Sequence, residues 1–349
     1  MPIIEKGDLV LVTGASGFLA SHAVLAFLQA GYRVRGTVRS KQKGEYLSRL
    51  CTSKGLIGFS YVLVPDISVA GAFDDAVVGI DALAHLASPF YTANVADPQE
   101  LIGPAVNGTV GILKSIANKG VKVKRVVITS SVAAIMSPES RPPPQRYTSE
   151  DWNEDSIVQL ARNGASSGGV VAYRASKTLA EKAFWDFIEI EKPEWDGIVL
   201  NPPLILGEVI HEVESPDRLN TSVAAFWKWL SGQQAESDLP SPLGNYINVK
   251  DIALAHVNAL SVPEAAGRRL IVGNGPFSGQ DYCDVIHENY PQRQGVPIGR
   301  PGTHAEIAKR MDIFDGSQAR AVLGIEYKDF KTTVTEMTDS LLSRWRPEK

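Results

Sequence analysis

The stretch from Leu9 to Val38 restricts the fold of this chain more than any other. Leu9 to Thr13 (LVLVT) is a short apolar, β-rich run that breaks into a glycine turn. Phe18 to Gln29 follows with helical spacing through Leu19, Ala23, Leu25, Ala26 and Leu28, and Gly31 stops it. Tyr32 to Val38 (YRVRGTV) reads as a second strand. Two strands joined through a helix call for parallel pairing.

The alternation continues. Phe59 to Val64, Ala82 to Leu86, Arg125 to Thr129 and Gly197 to Leu200 read as further strands, with helical patterns over Pro104 to Asn118 and Tyr173 to Glu191. The strands are apolar along their length rather than alternating, which predicts a sheet covered on both faces. The expectation is a doubly wound parallel α/β (Rossmann) sheet. After about Gly207 the segments become shorter and more polar. Arg269 to Val272 reads as one more sheet strand; Gln280 to Tyr290 and His304 to Arg310 read as helices of a smaller lobe. The chain therefore divides into a dinucleotide-binding domain over 1–206 plus 246–274 and a discontinuous substrate lobe over 207–245 plus 275–349. Ser137 to Pro144 (SPESRPPP) reads as a surface loop.

Composition removes several function classes. A formal net charge of −4 argues against nucleic acid or an anionic membrane surface as partner. The two cysteines, Cys51 and Cys283, stand in no metal-like spacing, and the six histidines form no i, i+4 pair, so no metal site is expected. Glu5 and Asp8 precede the first apolar run, unlike a secretory leader, and no apolar stretch approaches membrane-spanning length. These features predict a soluble, cytoplasmic protein.

Thr13 to Ala20 (TGASGFLA) lies between the first strand and the first helix. Glycines there let the backbone turn tightly against a pyrophosphate, and the helix N-terminus offers free N–H groups. Gly14, Ser16, Gly17, Phe18 and Leu19 are the candidate contacts. The spacing is G-x-x-G-x-x-A, with Ala20 last, rather than G-x-G-x-x-G. An NAD site places a carboxylate near the end of the second strand. Here that strand ends at Val38-Arg39, with Lys41 and Lys43 following and no acid before Glu45. A guanidinium at this point pairs with a 2′-phosphate, so Arg39 and Lys43 predict NADPH; the alternative is a solvated basic loop. Asp66 and Ile67, after the third strand, either flank an adenine or form an ordinary turn.

Three tyrosines have a lysine four residues on: Tyr173/Lys177, Tyr246/Lys250 and Tyr327/Lys331. On a helix such residues are about 5–6 Å apart; on a strand they are roughly 13 Å apart. Tyr173 opens a periodic helix with Ala180, Ala183, Phe184, Phe187 and Ile188 on one face. Tyr246 lies in an extended segment before a helix over Asp251 to Leu260, and Tyr327 lies in a polar segment without a cofactor signal. Only Tyr173 and Lys177 suit proton chemistry. Reducing a carbonyl needs a proton at oxygen; a phenol supplies it, and a nearby ammonium lowers the phenol's pKa. A hydroxyl should polarise the carbonyl. Ser130 and Ser131 follow a buried strand at the end where ligands bind in open α/β sheets, and Ser131 is chosen as the one nearer the strand exit. Without Tyr173 these would be an ordinary serine turn.

With these residues in view, the chain resembles the extended short-chain dehydrogenases/reductases. The subgroup is the one holding dihydroflavonol reductases and fungal NADPH-dependent aldehyde, ketone and methylglyoxal reductases. The resemblance is carried by VTGASGFLASH (12–22), YRVRGTVRS (32–40), HLASPF (85–90), PAVNGT (104–109), VVITSSVAA (126–134), YRASKTLAEKA (173–183), NPPLILG (201–207), NVKDIALAH (248–256) and LGIEYKDF (323–330). It implies Gly14, Gly17 and Ala20 at the pyrophosphate and Arg39 at the 2′-phosphate. It also implies Ala87 and Ser88 beside a cofactor ribose, and Pro202 and Leu204 against the nicotinamide. Many short-chain dehydrogenases carry an Asn where this chain has Ala105, which argues against an Asn-based proton relay.

The expected activity is NADPH-dependent reduction of a small aldehyde or ketone by a monomer or homodimer. Its apolar pocket would be lined by Phe90, Val132, Leu204 and Trp227. Two alternatives share the fold: a cofactor-retaining epimerase or dehydratase, which would want an Arg-rich pocket, and a non-catalytic NADP-binding regulator, which would usually lack the Tyr–Lys pair.

Overall fold

The computed structural model describes residues 4–88 and 95–345. Its centre is a parallel sheet of β1 (Leu9–Val12), β2 (Arg33–Val38), β3 (Phe59–Leu63), β4 (Ala82–His85) and β5 (Arg125–Thr129), extended by β7 (Asp196–Asn201) and β10 (Arg269–Ile271). The two-residue strand β6 (Arg146–Tyr147) lies outside it. The order is β10-β7-β5-β4-β1-β2-β3, and every adjacent pair is parallel. This is the doubly wound fold, with its switch point between β1 and β4, where strand order reverses and a crevice opens at the C-terminal strand ends. β1, β4 and β7 are buried along their whole length, as the apolar runs at their centres lead one to expect, and β7 buries Asp196 and Asn201 at its ends as well. β3 departs from that expectation: it is one of the two edge strands, and its residues are half-buried or exposed.

Helices cover both faces. On one, α1 (Phe18–Gln29) and α2 (Lys41–Ser53) pack with α7 (Val249–Ser261) and α10 (Ser317–Leu323), burying Val24, Phe27, Leu47, Ala253 and Leu323 with the sheet. α10 joins this core although it follows the lobe in sequence. On the other face, α3 (Gln99–Lys119) and α5 (Gly168–Glu191) bury Ile112, Leu113, Ile116, Phe184 and Phe187. α4 (Asp155–Asn163) precedes α5.

The smaller lobe has its own core. β8 (Leu204–Leu206), β9 (Pro242–Asn248) and β11 (Pro276–Ser278) form a three-stranded sheet. α6 (Thr221–Leu230), α8 (Gly279–Asn289) and α11 (Phe330–Arg344) pack on it through Phe226, Trp229, Tyr282, Phe277 and Met337. α9 (His304–Ala308) and β12 (Ile313–Phe314), which pairs with β6, complete the chain. Cys51 and Cys283 are free and buried. Among the described residues no helix is long and apolar enough to cross a membrane.

Candidate active site

The glycine loop is fixed by the strands on either side of it. Gly14 has φ +62°, a left-handed conformation that glycine adopts without penalty, and a Cβ there would come within 3.2 Å of Ala87. The Gly14 N–H donates to Thr37 Oγ1 (3.0 Å), and the Ala15 N–H donates to the Thr37 carbonyl (2.9 Å). Thr13 Oγ1 accepts from the N–H groups of Leu86 (2.9 Å) and Ala87 (3.0 Å). Its remaining proton can then go to His85 Nδ1 at 3.0 Å, an imidazole that burial pushes down to about 3 and so holds neutral. Gly17 caps α1 with no side-chain hydrogen bond, leaving first-turn N–H groups for a ligand. Ser16 is half-buried beside them and Gly17 is exposed. Phe18 and Leu19 can offer only backbone here: the Phe18 ring packs against His22 and His211, and Leu19 packs against the two cores. A pyrophosphate fits this cradle, whose floor is the space a Cβ would fill.

Arg39 is exposed just past the end of β2. It reaches far enough toward Asp66 to help hold that carboxyl below its usual range, the larger cause being hydrogen bonds from Ser68. Ile67 packs against Gly108 of α3. Lys43 lies one turn into α2, its Nζ 3.9 Å from Glu212 Oε2.

The two serines after β5 face different partners. Ser131 caps a short 3₁₀ turn, its Oγ accepting from the Ala133 N–H (3.1 Å), and its hydroxyl hydrogen-bonds the Tyr173 phenol. Ser130 Oγ donates to Glu181 Oε2 at 2.5 Å. Helix α5 begins at Gly168, so Tyr173 stands in its second turn rather than at its start. Lys177, one turn further on, is only 8% exposed. Burial lowers its ammonium to about 8, against the opposing pull of Glu181. Tyr173 behaves otherwise than the neighbouring-cation argument expects: burial raises it to about 12, and the Ser131 hydrogen bond opposes that only in part. The phenol is therefore fully protonated near neutral pH.

The decoy tyrosines are committed to packing. Tyr246 lies in β9 against Phe277 and Phe330, its hydroxyl accepting from Asn274 Nδ2 (3.1 Å), while Lys250 pairs with Glu208 (2.8 Å) and Glu336 (3.2 Å). Tyr327 lies under the Arg320 guanidinium, 4.4 Å from its ring centre, and Lys331 pairs with Glu288.

A small cavity is bounded by His85, Ala87, Ser88, Thr129, Ser130, Lys177 and Glu181. A larger one of about 460 Å³ lies in the lobe between Leu239, Pro240, Arg300, Thr303 and Arg310, and Ser131, Tyr173 and Lys177 do not line it. The buried Pro202 joins the serine turn, its carbonyl accepting from the Val132 N–H (3.1 Å). Val132 packs partly against Ile135, Tyr147 and Phe314. Leu204 opens β8, in register with Tyr246, and is half-buried against the lobe core. Trp227 sits within that core, its ring 6.3 Å from that of Trp345. Phe90 lies outside the described residues.

Sequence reasoning passed over the groups behind this site. Glu181, Arg269 and Asn201 meet at the far side of Ser130 and Lys177. A signal for Glu181 existed: it stands one helical turn from Lys177, on the face of α5 that carries Phe184 and should be apolar.

The sequence pattern described as the NAD dependent epimerase/dehydratase family matches residues 10–273. Ketoreductase azaE of Aspergillus niger is 36% identical over 96% of this chain and 98% of that protein. The NADPH-dependent methylglyoxal reductase GRE2 of Saccharomyces cerevisiae is 33% identical over 95% of this chain and 98% of its own length. Among solved structures, Gre2 of Candida albicans in complex with NADPH superposes with a TM-score of 0.87 at 32% identity, covering 97% of this chain and all of that one.

Proposed function

The chain belongs to the NAD dependent epimerase/dehydratase family, and within it we propose an NADPH-dependent reductase that converts a small aldehyde or ketone into an alcohol. The observation that carries this reading is the convergence of Ser131, Tyr173 and Lys177 at the C-terminal ends of the central strands, beside the glycine loop. A relative named as an NADPH-dependent methylglyoxal reductase and a solved Gre2 structure holding NADPH both match nearly the whole chain, the small lobe included.

When bound, NADPH would supply the hydride. Gly14, Ser16 and Gly17, with the backbone of Phe18 and Leu19, hold the pyrophosphate. Arg39 and Lys43 would hold the 2′-phosphate, Lys43 being 3.9 Å from Glu212 without it. Asp66 and Ile67 border the adenine, Ala87 and Ser88 the ribose, and Pro202 and Leu204 the nicotinamide. Ser131 hydrogen-bonds the substrate oxygen and orients it toward the phenol. Tyr173 donates its proton to the oxygen as charge develops there. A phenol raised to about 12 still transfers that proton downhill to an alkoxide, which is far more basic, and it enters the reaction fully loaded. Lys177 keeps a positive charge beside the phenolate that results and binds the ribose.

The substrate lies between these groups and the small lobe, against Val132 and Leu204. Trp227 shapes that wall from behind, as part of the lobe core. The protein acts in the cytoplasm on a small carbonyl compound, as a monomer or homodimer.

The test is NADPH oxidation followed by absorbance across a panel of aldehydes and ketones. The proposal requires stoichiometric NADPH loss and alcohol formation. A substrate converted with no net NADPH consumption would support the cofactor-retaining epimerase or dehydratase instead. Tight NADPH binding with no turnover across the panel would support a regulator.

A further inference from the structure

Glu181 lies on the buried face of α5, four residues beyond Lys177, with no exposed side-chain surface. Both of its oxygens accept hydrogen bonds. Oε2 accepts from Ser130 Oγ (2.5 Å) and Asn201 Nδ2 (2.8 Å), and Oε1 accepts from Arg269 Nε. Arg269 in turn donates to the carbonyls of Ser149 (2.8 Å), Asp151 and Ala134 (3.1 Å), and its guanidinium stacks 3.8 Å over Trp152. One carboxylate therefore ties together the ends of β5 and β7, the start of β10, the serine turn and α5.

A buried ion pair seldom adds net stability over an apolar pair of equal volume, so stability alone does not account for this one. The charges are also unequal in number: one carboxylate stands among two cations, Arg269, which pairs with it, and the buried Lys177, which lies one turn away on α5 and lines the same small cavity. Arginine keeps its charge at any accessible pH, whereas lysine does not when buried. We propose that Glu181 is a positioning residue for the reductase chemistry, its anchored carboxylate keeping the Lys177 ammonium charged and in place. The proposal rests on the reading of Lys177 as the reductase lysine.

Among the described residues, the titratable groups that face Lys177 are few. α5 presents Tyr173 and Glu181, and β4 presents His85, which is neutral. β5 presents Thr129 and Ser130, and α3 presents Thr109, none of them charged near neutral pH. Glu181 is thus the one anion in this set, and burial already brings Lys177 down to about 8.

The experiment is the pH profile of kcat for Glu181→Gln, which keeps the shape and removes the charge. The alkaline fall in kcat is expected to move down by about one pH unit or more, while rates well below that fall stay within a few-fold of the parent. Glu181→Asp should restore the parent's profile. A uniform loss at every pH, with the alkaline fall unmoved, would overturn the proposal and leave Glu181 a structural brace. Removing one partner of a buried pair can unfold the chain, so Glu181→Gln/Arg269→Met is the second variant. It removes both charges, and its alkaline fall should lie below that of Arg269→Met alone, which loses the same repelling cation but keeps Glu181; coincident profiles in those two variants would equally overturn the proposal. Lys177→Met separates the two readings. If it retains turnover, the role of Lys177 itself fails. If it is inactive while the Glu181 variants keep the parent's profile, only the role of Glu181 fails.

Discussion

The hydroxyl of Ser131 hydrogen-bonds the phenol of Tyr173 across the gap between the end of β5 and the second turn of α5. A carbonyl oxygen placed within reach of both would meet a polarising group and a proton donor together. Ser130, one residue earlier, points to Glu181 instead, so the adjacent serines face different partners, and on the reading proposed above Ser131 meets the substrate while Ser130 belongs to the support behind it.

The division is testable. Ser131→Ala should lower kcat by about 10²-fold or more, the scale of a lost transition-state hydrogen bond, with little change in thermal midpoint. Ser130→Ala should do the reverse. Leaving Glu181 short of a buried donor costs about 1–3 kcal/mol of stability, seen by denaturant unfolding, while turnover at saturating substrate falls far less. Equal effects on rate would refute the assignment.

Arg39→Ala should weaken NADPH by roughly tenfold, at the lower end for a charge-assisted contact on an exposed residue, and leave NADH almost unchanged. Cofactor KM values measured side by side decide it. Matching losses with both cofactors would remove Arg39 from the 2′-phosphate site.

Gly14→Ala forces a Cβ into a left-handed backbone and against Ala87 at 3.2 Å. The strain should cost about 1–3 kcal/mol, and the filled cradle should abolish measurable cofactor binding by titration calorimetry. Normal NADPH affinity in a folded variant would contradict the pyrophosphate placement.

The pH dependence follows from Lys177. Its folded value is lowered to about 8, chiefly by burial, so the ammonium is present below that pH and is lost as pH rises through it. Tyr173, at about 12, keeps its proton throughout this range. Reduction should therefore hold steady around neutrality and decline above about pH 8. A rate still rising well above that pH would show that the charge on Lys177 is not needed.

Much of this was legible in the sequence because it depends on local pattern. The apolar runs within β1, β4 and β7 announce buried parallel strands, and the spacing of Tyr173 and Lys177 has meaning only on a helix. β3 was the exception, since its apolar residues lie on a sheet edge and are only half covered. What stayed hidden depends on contacts between distant segments. Arg269 reads as one residue of a short strand, yet it reaches Glu181 and three backbone carbonyls. Trp227 is named from the sequence as pocket wall, although a single aromatic more often packs in a core, and it is its packing in the lobe cluster, Trp345 included, that puts it in the lobe interior. The raised phenol of Tyr173 was hidden for the same reason: burial by surrounding elements outweighs what its sequence neighbour suggests.

The central claim is that Tyr173 gives the proton, and Tyr173→Phe tests it most directly. The substitution removes one hydroxyl and keeps the ring, so fold and NADPH binding should survive. Initial rates of carbonyl reduction should fall by roughly two to four orders of magnitude, the worth of a positioned general acid. Tyr246→Phe and Tyr327→Phe, measured beside it, should retain most of their turnover, because their hydroxyls bond to structural partners, Asn274 for Tyr246 and the Gly316 carbonyl for Tyr327. Near-normal turnover in Tyr173→Phe, with NADPH binding intact, would contradict the account.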